Sequence, residues 1–110
     1  MKHITYDGSS WLVDDGIAEA IVEYAVLLAR KESADSVEID AIDDDGVRRQ
    51  VTLLIGPATM MTIETSMSEL TPPDNAAPIA TVRERIRQIV SPPTAMPGDP
   101  GDPSYLDDLP

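Results

Sequence analysis

Two segments in which apolar and polar residues alternate, 36 to 43 and 47 to 55, constrain the fold of this 110-residue chain more than any other feature. Alternation with a period of two is typical of a β-strand with one buried and one exposed face. The connection between the segments contains three aspartates and Gly46. The pattern therefore predicts two strands joined by a tight turn, with Val37 and Ile39 facing the core.

The aspartates of this connection raise the alternative of a calcium loop. An EF-hand loop needs oxygen ligands at its first and last positions and glycine at its sixth. If Gly46 takes the sixth position, the first and last positions fall on Ala41 and Thr52, neither of which carries a carboxylate. The flanking residues also lack the helical spacing that an EF-hand requires. We therefore interpret the aspartates as turn residues.

The alternation of side chains between the two faces of the strands decides the length of this turn. A loop of three residues, Asp44 to Gly46, pairs Asp43 with Val47 and brings Ile39 opposite Val51. A loop of two residues would put a carboxylate among the apolar residues of the core face. The sequence thus predicts a type I turn with a G1 bulge, in which Gly46 takes a positive φ.

Residues 2 to 13 are predicted to form another hairpin, because Asp7-Gly8 favours a two-residue type I′ turn. The register set by this turn places four residues on the core face, namely Ile4, Tyr6, Trp11 and Val13. A fifth strand is predicted within residues 58 to 66, after the turn dipeptide Gly56-Pro57.

A long helix is predicted from Asp14 or Asp15, either of which can cap it, to near Lys31. Its core stripe is formed by apolar residues at helical spacing, namely Ile17, Ile21, Tyr24, Ala25 and Leu28. Three further apolar residues widen the stripe, namely Val22, Val26 and Leu27. The helix is therefore either covered on two sides or helps to form an oligomer, and a homodimer is the simplest such assembly.

A short C-terminal helix is predicted from Pro78, which is tolerated in a first helical turn, to about Val90. Together the elements predict one small acidic α+β domain over residues 1 to 90, in the order ββαβββα. We expect an antiparallel sheet with the long helix on one face and the C-terminal helix at an edge or over the other face. Residues 91 to 110 contain six prolines and are expected to be a disordered tail.

The composition limits the function. A formal net charge of -12 argues against direct binding to nucleic acid or to membranes, because both favour basic surfaces, and it favours a basic protein as partner. The chain has no cysteine, which excludes disulfides and thiolate metal sites and suits a cytoplasmic location. No apolar segment has the length of a membrane helix, and the N-terminal residues do not form a secretory signal.

No catalytic constellation is visible in the sequence. His3 is the only histidine and has no second nitrogen ligand near it, and Ser9 and Ser10 lie in a hairpin without a nucleophile motif. We therefore expect no enzyme activity, no metal and no cofactor. The densest positive charge is on the C-terminal helix, where Arg83 and Arg87 share a face and form a candidate contact for an anion or for the acidic tail.

The end of the chain has the composition of a tethered binding motif. After a spacer rich in proline and glycine, five residues combine apolar and acidic side chains, namely Tyr105, Leu106, Asp107, Asp108 and Leu109. The last eight residues resemble the acidic, hydrophobic C-terminal tips of bacterial single-stranded DNA-binding proteins. The alternative is a tail that is inert or docks on its own domain.

These features favour a non-catalytic protein-interaction module. One alternative is a nucleic-acid mimic or immunity-type inhibitor, which requires a continuous stripe of carboxylates, namely Glu19, Glu23, Glu38, Asp40 and Glu64. Another is a small-molecule-binding domain, which requires a pocket between the sheet, Trp11, Tyr24 and the second helix.

Overall fold

The computed structural model describes residues 1 to 90, so the predicted tail and its tip at residues 105 to 109 lie outside the described residues. The fold is α+β, with a five-stranded antiparallel sheet and two helices. The strands are β1 (Lys2–Tyr6), β2 (Ser9–Val13), β3 (Asp35–Ile42), β4 (Arg48–Ile55) and β5 (Met61–Thr65), and the helices are α1 (Asp15–Arg30) and α2 (Ala76–Val90). The strand order across the sheet is β4-β3-β2-β1-β5.

Both hairpin turns have the geometry that the sequence predicts. In the β1–β2 turn, Asp7 and Gly8 have φ values of 51° and 81°, as a type I′ turn requires. In the β3–β4 turn, the Asp43 amide donates to the Val47 carbonyl over 2.9 Å, and Gly46 has a φ of 80°. The three-residue loop is thus confirmed, and it brings Ile39 opposite Val51. The strands on either side contradict the EF-hand alternative.

Hydrogen bonds between residues that are close in sequence cap both ends of helix α1. Asp14 is the N-cap, and its Oδ2 accepts a 3.1 Å hydrogen bond from the Ile17 amide. Beyond the C-cap Lys31, the Glu32 amide donates to Ala29 and the Ser33 amide donates to Leu28, which is the Schellman arrangement. Glu32 takes a φ of 53°, a left-handed conformation that glycine usually occupies in this motif.

Helix α2 is longer than the short C-terminal helix that the sequence indicates. It has 15 residues, against 16 in α1, and begins at Ala76 instead of Pro78. Pro78 lies in the first turn, where its missing N–H removes no helical hydrogen bond. The first bond of the turn is donated by the Ile79 amide to the Asn75 carbonyl over 2.9 Å.

The core lies between one face of the sheet and both helices. Its buried side chains from the strands are Ile4, Val13, Val37, Ile39, Ala41, Leu53 and Ile55. Helix α1 contributes Ile17, Ile21, Tyr24 and Leu28 from the predicted stripe, together with Ala18 and Ala20, and α2 contributes Val82 and Ile86. Helix α2 therefore packs beside α1. Of its two predicted placements, the one over the other sheet face is wrong.

On the other sheet face, two apolar side chains are buried, whereas two others are exposed. Leu12 and Ile42 are buried and line a cleft together with Leu70, which belongs to the segment between β5 and α2. Leu54 and Met60 are exposed. Within residues 1 to 90, neither helix is both long and apolar enough to cross a bilayer.

The sheet has two parts that meet at a single residue pair. Strands β2 and β3 are paired only between Leu12 and Ile42. Strand β2 ends at Val13, where the chain turns into α1, whereas β3 extends over Asp35–Ile42. The part of β3 from residue 36 to residue 40 therefore has β4 on one side and, within residues 1 to 90, no strand on the other.

Candidate functional site

The unpaired edge of β3 faces α2, and Asn75 covers one end of it. The Asn75 Oδ1 accepts from the Asp40 amide over 2.9 Å, and its Nδ2 donates to the Asp40 carbonyl over 2.8 Å. Its Nδ2 also donates to Asp14 Oδ1 over 3.0 Å, so one side chain connects the N-cap of α1, strand β3 and the start of α2. Asn75 is only 2% exposed and is the buried polar residue of the described chain.

A second polar cluster covers the other end of this edge. The Tyr24 hydroxyl donates to Asp35 Oδ2 over 2.5 Å, and Arg85 Nη1 donates to the same oxygen over 2.8 Å. Arg85 Nη1 also donates to the Ser36 carbonyl over 2.9 Å. The cluster thus joins α1, β3 and α2 at the end opposite to Asn75.

The charges of this cluster are matched. Partial burial alone would raise the pKa of Asp35, but hydrogen bonds from Tyr24 and the Ser36 amide, with the charge of Arg85, lower the pKa below its ordinary value. Burial raises the pKa of Tyr24, and the hydrogen bond to Asp35 and the charge of that carboxylate raise it further. Asp35 is therefore a carboxylate and Tyr24 a neutral phenol near neutral pH.

Between the two clusters, the backbone N–H and C=O of Glu38 point away from β4. In an antiparallel strand, every second residue directs its N–H and C=O to the same side. Because the backbone groups of Asp40 point away from β4 towards Asn75, those of Glu38 point the same way. Among residues 1 to 90, no hydrogen bond reaches the amide or the carbonyl of Glu38.

These backbone groups border a groove between β3 and α2. It has a volume of ≈ 420 Å³ and is lined by residues 37 to 40 of β3, by Gln50, and by Ala77, Pro78, Thr81 and Arg85 of α2. The carboxylates of Glu38 and Asp40 have no basic partner in the described part of the chain. Within the described part of the chain, the groove therefore combines unneutralised negative charge with a backbone donor and acceptor that have no partner.

The carboxylates do not form the continuous stripe that a nucleic-acid mimic requires. Glu38 is on β3 and Glu64 on β5, and strands β2 and β1 lie between them. Glu19 and Glu23 are on α1, which covers the opposite face of the sheet. Glu23 is also bound to Arg83 over 2.5 Å. The acids are thus divided among separate surfaces.

The three arginines of α2 have acidic partners within the domain. Arg83 pairs with Glu23, and Arg87 pairs with Glu84 on the same helix. Arg85 is turned away from them, as its spacing indicates, and contacts β3. A tail carboxylate or an anion at Arg83 and Arg87 would compete with these pairs, so that contact stays a prediction.

His3 and Ser10 lie together on the sheet face opposite the helices. His3 Nδ1 and Ser10 Oγ are 3.3 Å apart, and both line a cleft of ≈ 410 Å³ that reaches the β3–β4 turn. The aspartate of that turn with the most contacts is Asp43, whose carboxylate accepts from the amides of Asp45 and Val47 and from Arg49 Nε. Within residues 1 to 90, no hydrogen bond connects an aspartate to His3, so the pair does not extend to a triad.

An apolar cleft lies between α1 and β5. Val22 and Val26, which widen the apolar stripe of α1, are 42% and 45% exposed. They line a cleft of ≈ 270 Å³ together with Met61 and Ile63 of β5. The sequence predicts that α1 is either covered on two sides or helps to form an oligomer. Within residues 1 to 90, no second element covers the two valines, and the homodimer stays a prediction.

The site differs from the pocket that the small-molecule hypothesis requires. Trp11 packs against the core and Tyr24 is buried, and neither lines the groove beside α2. The helix predicted from Pro78 leaves Asn75 outside a regular element, and the sequence assigns this residue no contact. Its position directly before the helix that starts at Ala76 is the only local signal of its role.

Comparison of the chain with protein-family models, with curated proteins and with solved structures finds no match.

Proposed function

We propose that this chain is a non-catalytic protein-binding module that receives a basic segment of a partner at the groove between β3 and α2. The observation that carries the proposal is the pair of acidic residues Glu38 and Asp40, which line the groove and whose carboxylates have no basic partner among residues 1 to 90. Arg85, the cation of the groove, is already neutralised by Asp35. A ligand with Lys or Arg side chains would complete the charge balance.

The charge of the whole chain supports this choice of partner. A net charge of -12 attracts basic proteins over distances of about a Debye length, roughly 8 Å at physiological ionic strength, and repels phosphates. Such attraction raises association rates and weakens as salt increases. We infer a cytoplasmic setting for this interaction from the lack of cysteine.

The proposal is tested by fluorescence anisotropy with a labelled peptide of alternating lysine and alanine. The double variant Glu38→Gln/Asp40→Asn removes both groove carboxylates while keeping their shapes. We expect the peptide to bind about 5- to 30-fold more weakly, since two partly exposed ion pairs contribute about 1 to 2 kcal/mol together. The loss should shrink as the salt concentration rises.

The matched control is Glu19→Gln/Glu64→Gln, which also removes two negative charges but lies away from the groove. We expect it to change the affinity by less than about twofold. Equal losses in both variants would show that the peptide responds only to net charge, and the site would then be wrong. A nucleic-acid mimic needs the control carboxylates as well, so this pair of variants also separates that hypothesis from the present one.

The tip at residues 105 to 109 is proposed as a second contact on the partner, on the basis of its sequence. The full-length variant Tyr105→Ala/Leu106→Ala/Leu109→Ala keeps both tip aspartates and therefore the charge. We expect it to weaken binding of a natural partner without changing binding of the basic peptide. If the affinity for the partner is unchanged, the tip has no part in binding.

A further inference from the structure

The way in which Asn75 binds β3 indicates how a ligand would bind the neighbouring site. Its side-chain amide donates to the carbonyl and accepts from the amide of a single strand residue, Asp40. A peptide group of an added strand would present the same donor and acceptor. Glu38 offers the equivalent backbone pair two residues further along the same edge.

We infer that the groove binds an extended basic peptide by backbone pairing with Glu38, with a Lys or Arg of the peptide opposite the Glu38 side chain. This inference rests on the proposed function and adds its binding mode. Residues directly opposite in an antiparallel pair have side chains on the same face, so a basic residue paired with Glu38 contacts that carboxylate. Asp40, whose side chain lies on the same face, is its diagonal neighbour.

The extent of the pairing is fixed by the two polar clusters. Asn75 already occupies the backbone groups of Asp40, and Arg85 occupies the carbonyl of Ser36. Added backbone pairing is therefore confined to one ligand residue. Small side chains, those of Ala77, Pro78 and Thr81, form the α2 side of the groove and leave room for the peptide backbone.

The inference predicts a ligand class that charge alone does not define. A compact basic surface or a free polyamine can neutralise Glu38 and Asp40, but neither provides an N–H and a C=O in strand geometry. An extended peptide with one basic residue between β-branched neighbours provides both. The groove should thus select basic residues in extended segments over basic residues in helices.

The test uses the full chain and the blocked peptide acetyl-Thr-Val-Lys-Val-Thr-amide, in which the single lysine fixes the register. Amide NMR titration gives the affinity, and hydrogen exchange of the Glu38 amide reports its hydrogen bond. We expect saturating peptide to slow exchange of this amide by at least about tenfold. Exchange at the Asp40 amide, which is already bound to Asn75, should change little.

Two N-methylated peptides of unchanged charge separate backbone pairing from electrostatic attraction. Methylation of the backbone amide nitrogen of the lysine removes the N–H that would donate to the Glu38 carbonyl, and we expect about tenfold weaker binding. Methylation of the following valine nitrogen removes an N–H that points away from β3, and binding should be retained. Thr81→Trp, at an exposed position of α2, should obstruct the groove and weaken binding of the parent peptide while the folded spectrum is kept.

The outcomes distinguish this inference from the function on which it rests. If both methylated peptides bind as well as the parent and binding still depends on Glu38 and Asp40, the backbone pairing is wrong and the acidic binding site stands. If neither this peptide nor the lysine–alanine peptide binds, both are overturned. Weaker binding of only the peptide that is methylated at the lysine backbone nitrogen, together with slower exchange of the Glu38 amide, supports the inference.

Discussion

Tyr24 and Asp35 join α1 to the first residue of β3 through a 2.5 Å hydrogen bond from the phenol to the carboxylate. Arg85 of α2 binds the same carboxylate oxygen. One carboxylate thus fixes two helices against the strand whose edge forms the groove. Disturbance of this cluster is expected to change both the stability of the domain and the shape of the site.

Removal of the Tyr24 hydroxyl should destabilise the domain without unfolding it. Tyr24→Phe keeps the buried ring but loses the hydrogen bond to the charged carboxylate, so we expect the free energy of unfolding to fall by about 1 to 2 kcal/mol. Urea denaturation at neutral pH measures the change. Tyr24→Leu is the comparison that also alters packing. A Phe variant as stable as the wild type, with only the Leu variant destabilised, would show that packing dominates and that the hydrogen bond contributes little.

The lowered pKa of Asp35 should make stability depend on acid. A carboxylate whose pKa is lower in the folded state contributes stability above its unfolded pKa of about 3.9, and this contribution is lost as the pH falls through the folded value. We therefore expect the free energy of unfolding of the wild type to fall more steeply below about pH 4 than that of Asp35→Asn. Parallel curves for the two proteins would contradict the stabilising role of this carboxylate.

Asn75 should be among the most sensitive positions to substitution. Asn75→Ala leaves the amide and carbonyl of Asp40 without partners, so we expect a loss of about 2 to 3 kcal/mol in urea denaturation. Asn75→Asp keeps the shape but places a second carboxylate against Asp14, whose Oδ1 accepts from Asn75 in the native chain. The Asp variant should therefore regain part of its stability, relative to wild type, on mild acidification. A variant that is equally destabilised at all pH values would contradict this account.

Replacement of Glu32 by glycine should stabilise the domain. The residue has a φ of 53° at the end of α1, and a side chain in this left-handed conformation costs about 1 kcal/mol. We expect Glu32→Gly to raise the free energy of unfolding by about 0.5 to 1 kcal/mol. Glu32→Ala removes the same charge without relieving the backbone, so the difference between the two variants in thermal or urea unfolding isolates the conformational effect.

The pKa of Asp43, beside the β3–β4 turn, should depend on Arg49. The hydrogen bond from Arg49 lowers the pKa of Asp43, and hydrogen bonds from the Val47 and Asp45 amides lower it further. Arg49→Gln should therefore shift the Asp43 titration, followed by carboxyl-carbon NMR, towards the ordinary value. Arg48→Gln, one residue away and opposite Ile42, should leave that titration unchanged. Equal shifts in both variants would indicate a general charge effect.

Features encoded by neighbouring residues could be predicted from the sequence. The Asp7-Gly8 turn, the bulge at Gly46 and the cap at Asp14 depend on backbone conformations and hydrogen bonds within a few residues. The alternation of β3 and β4 likewise fixed which residues face the core, because their register follows from the length of the turn.

The candidate site could not be predicted in this way, because its contacts join distant parts of the chain. Asn75 reaches Asp40 and Arg85 reaches Asp35 only because α2 packs beside α1 along β3. No spacing within α2 distinguishes that placement from one over the other sheet face. The backbone groups of Glu38 lack a strand partner within residues 1 to 90 because β2 meets β3 only at Leu12 and Ile42, and the pairing of these two strands has no local signal.

The single residue pair between β2 and β3 also bears on the folding of the chain. The β1–β2 and β3–β4 hairpins each close a short loop, so each can form without the other. Strand β5 instead pairs with β1 across most of the described sequence, with Met61 opposite Tyr6. Closure of so long a loop costs entropy before its contacts form. Addition of β5 to a preformed pair of hairpins would then set the folding rate.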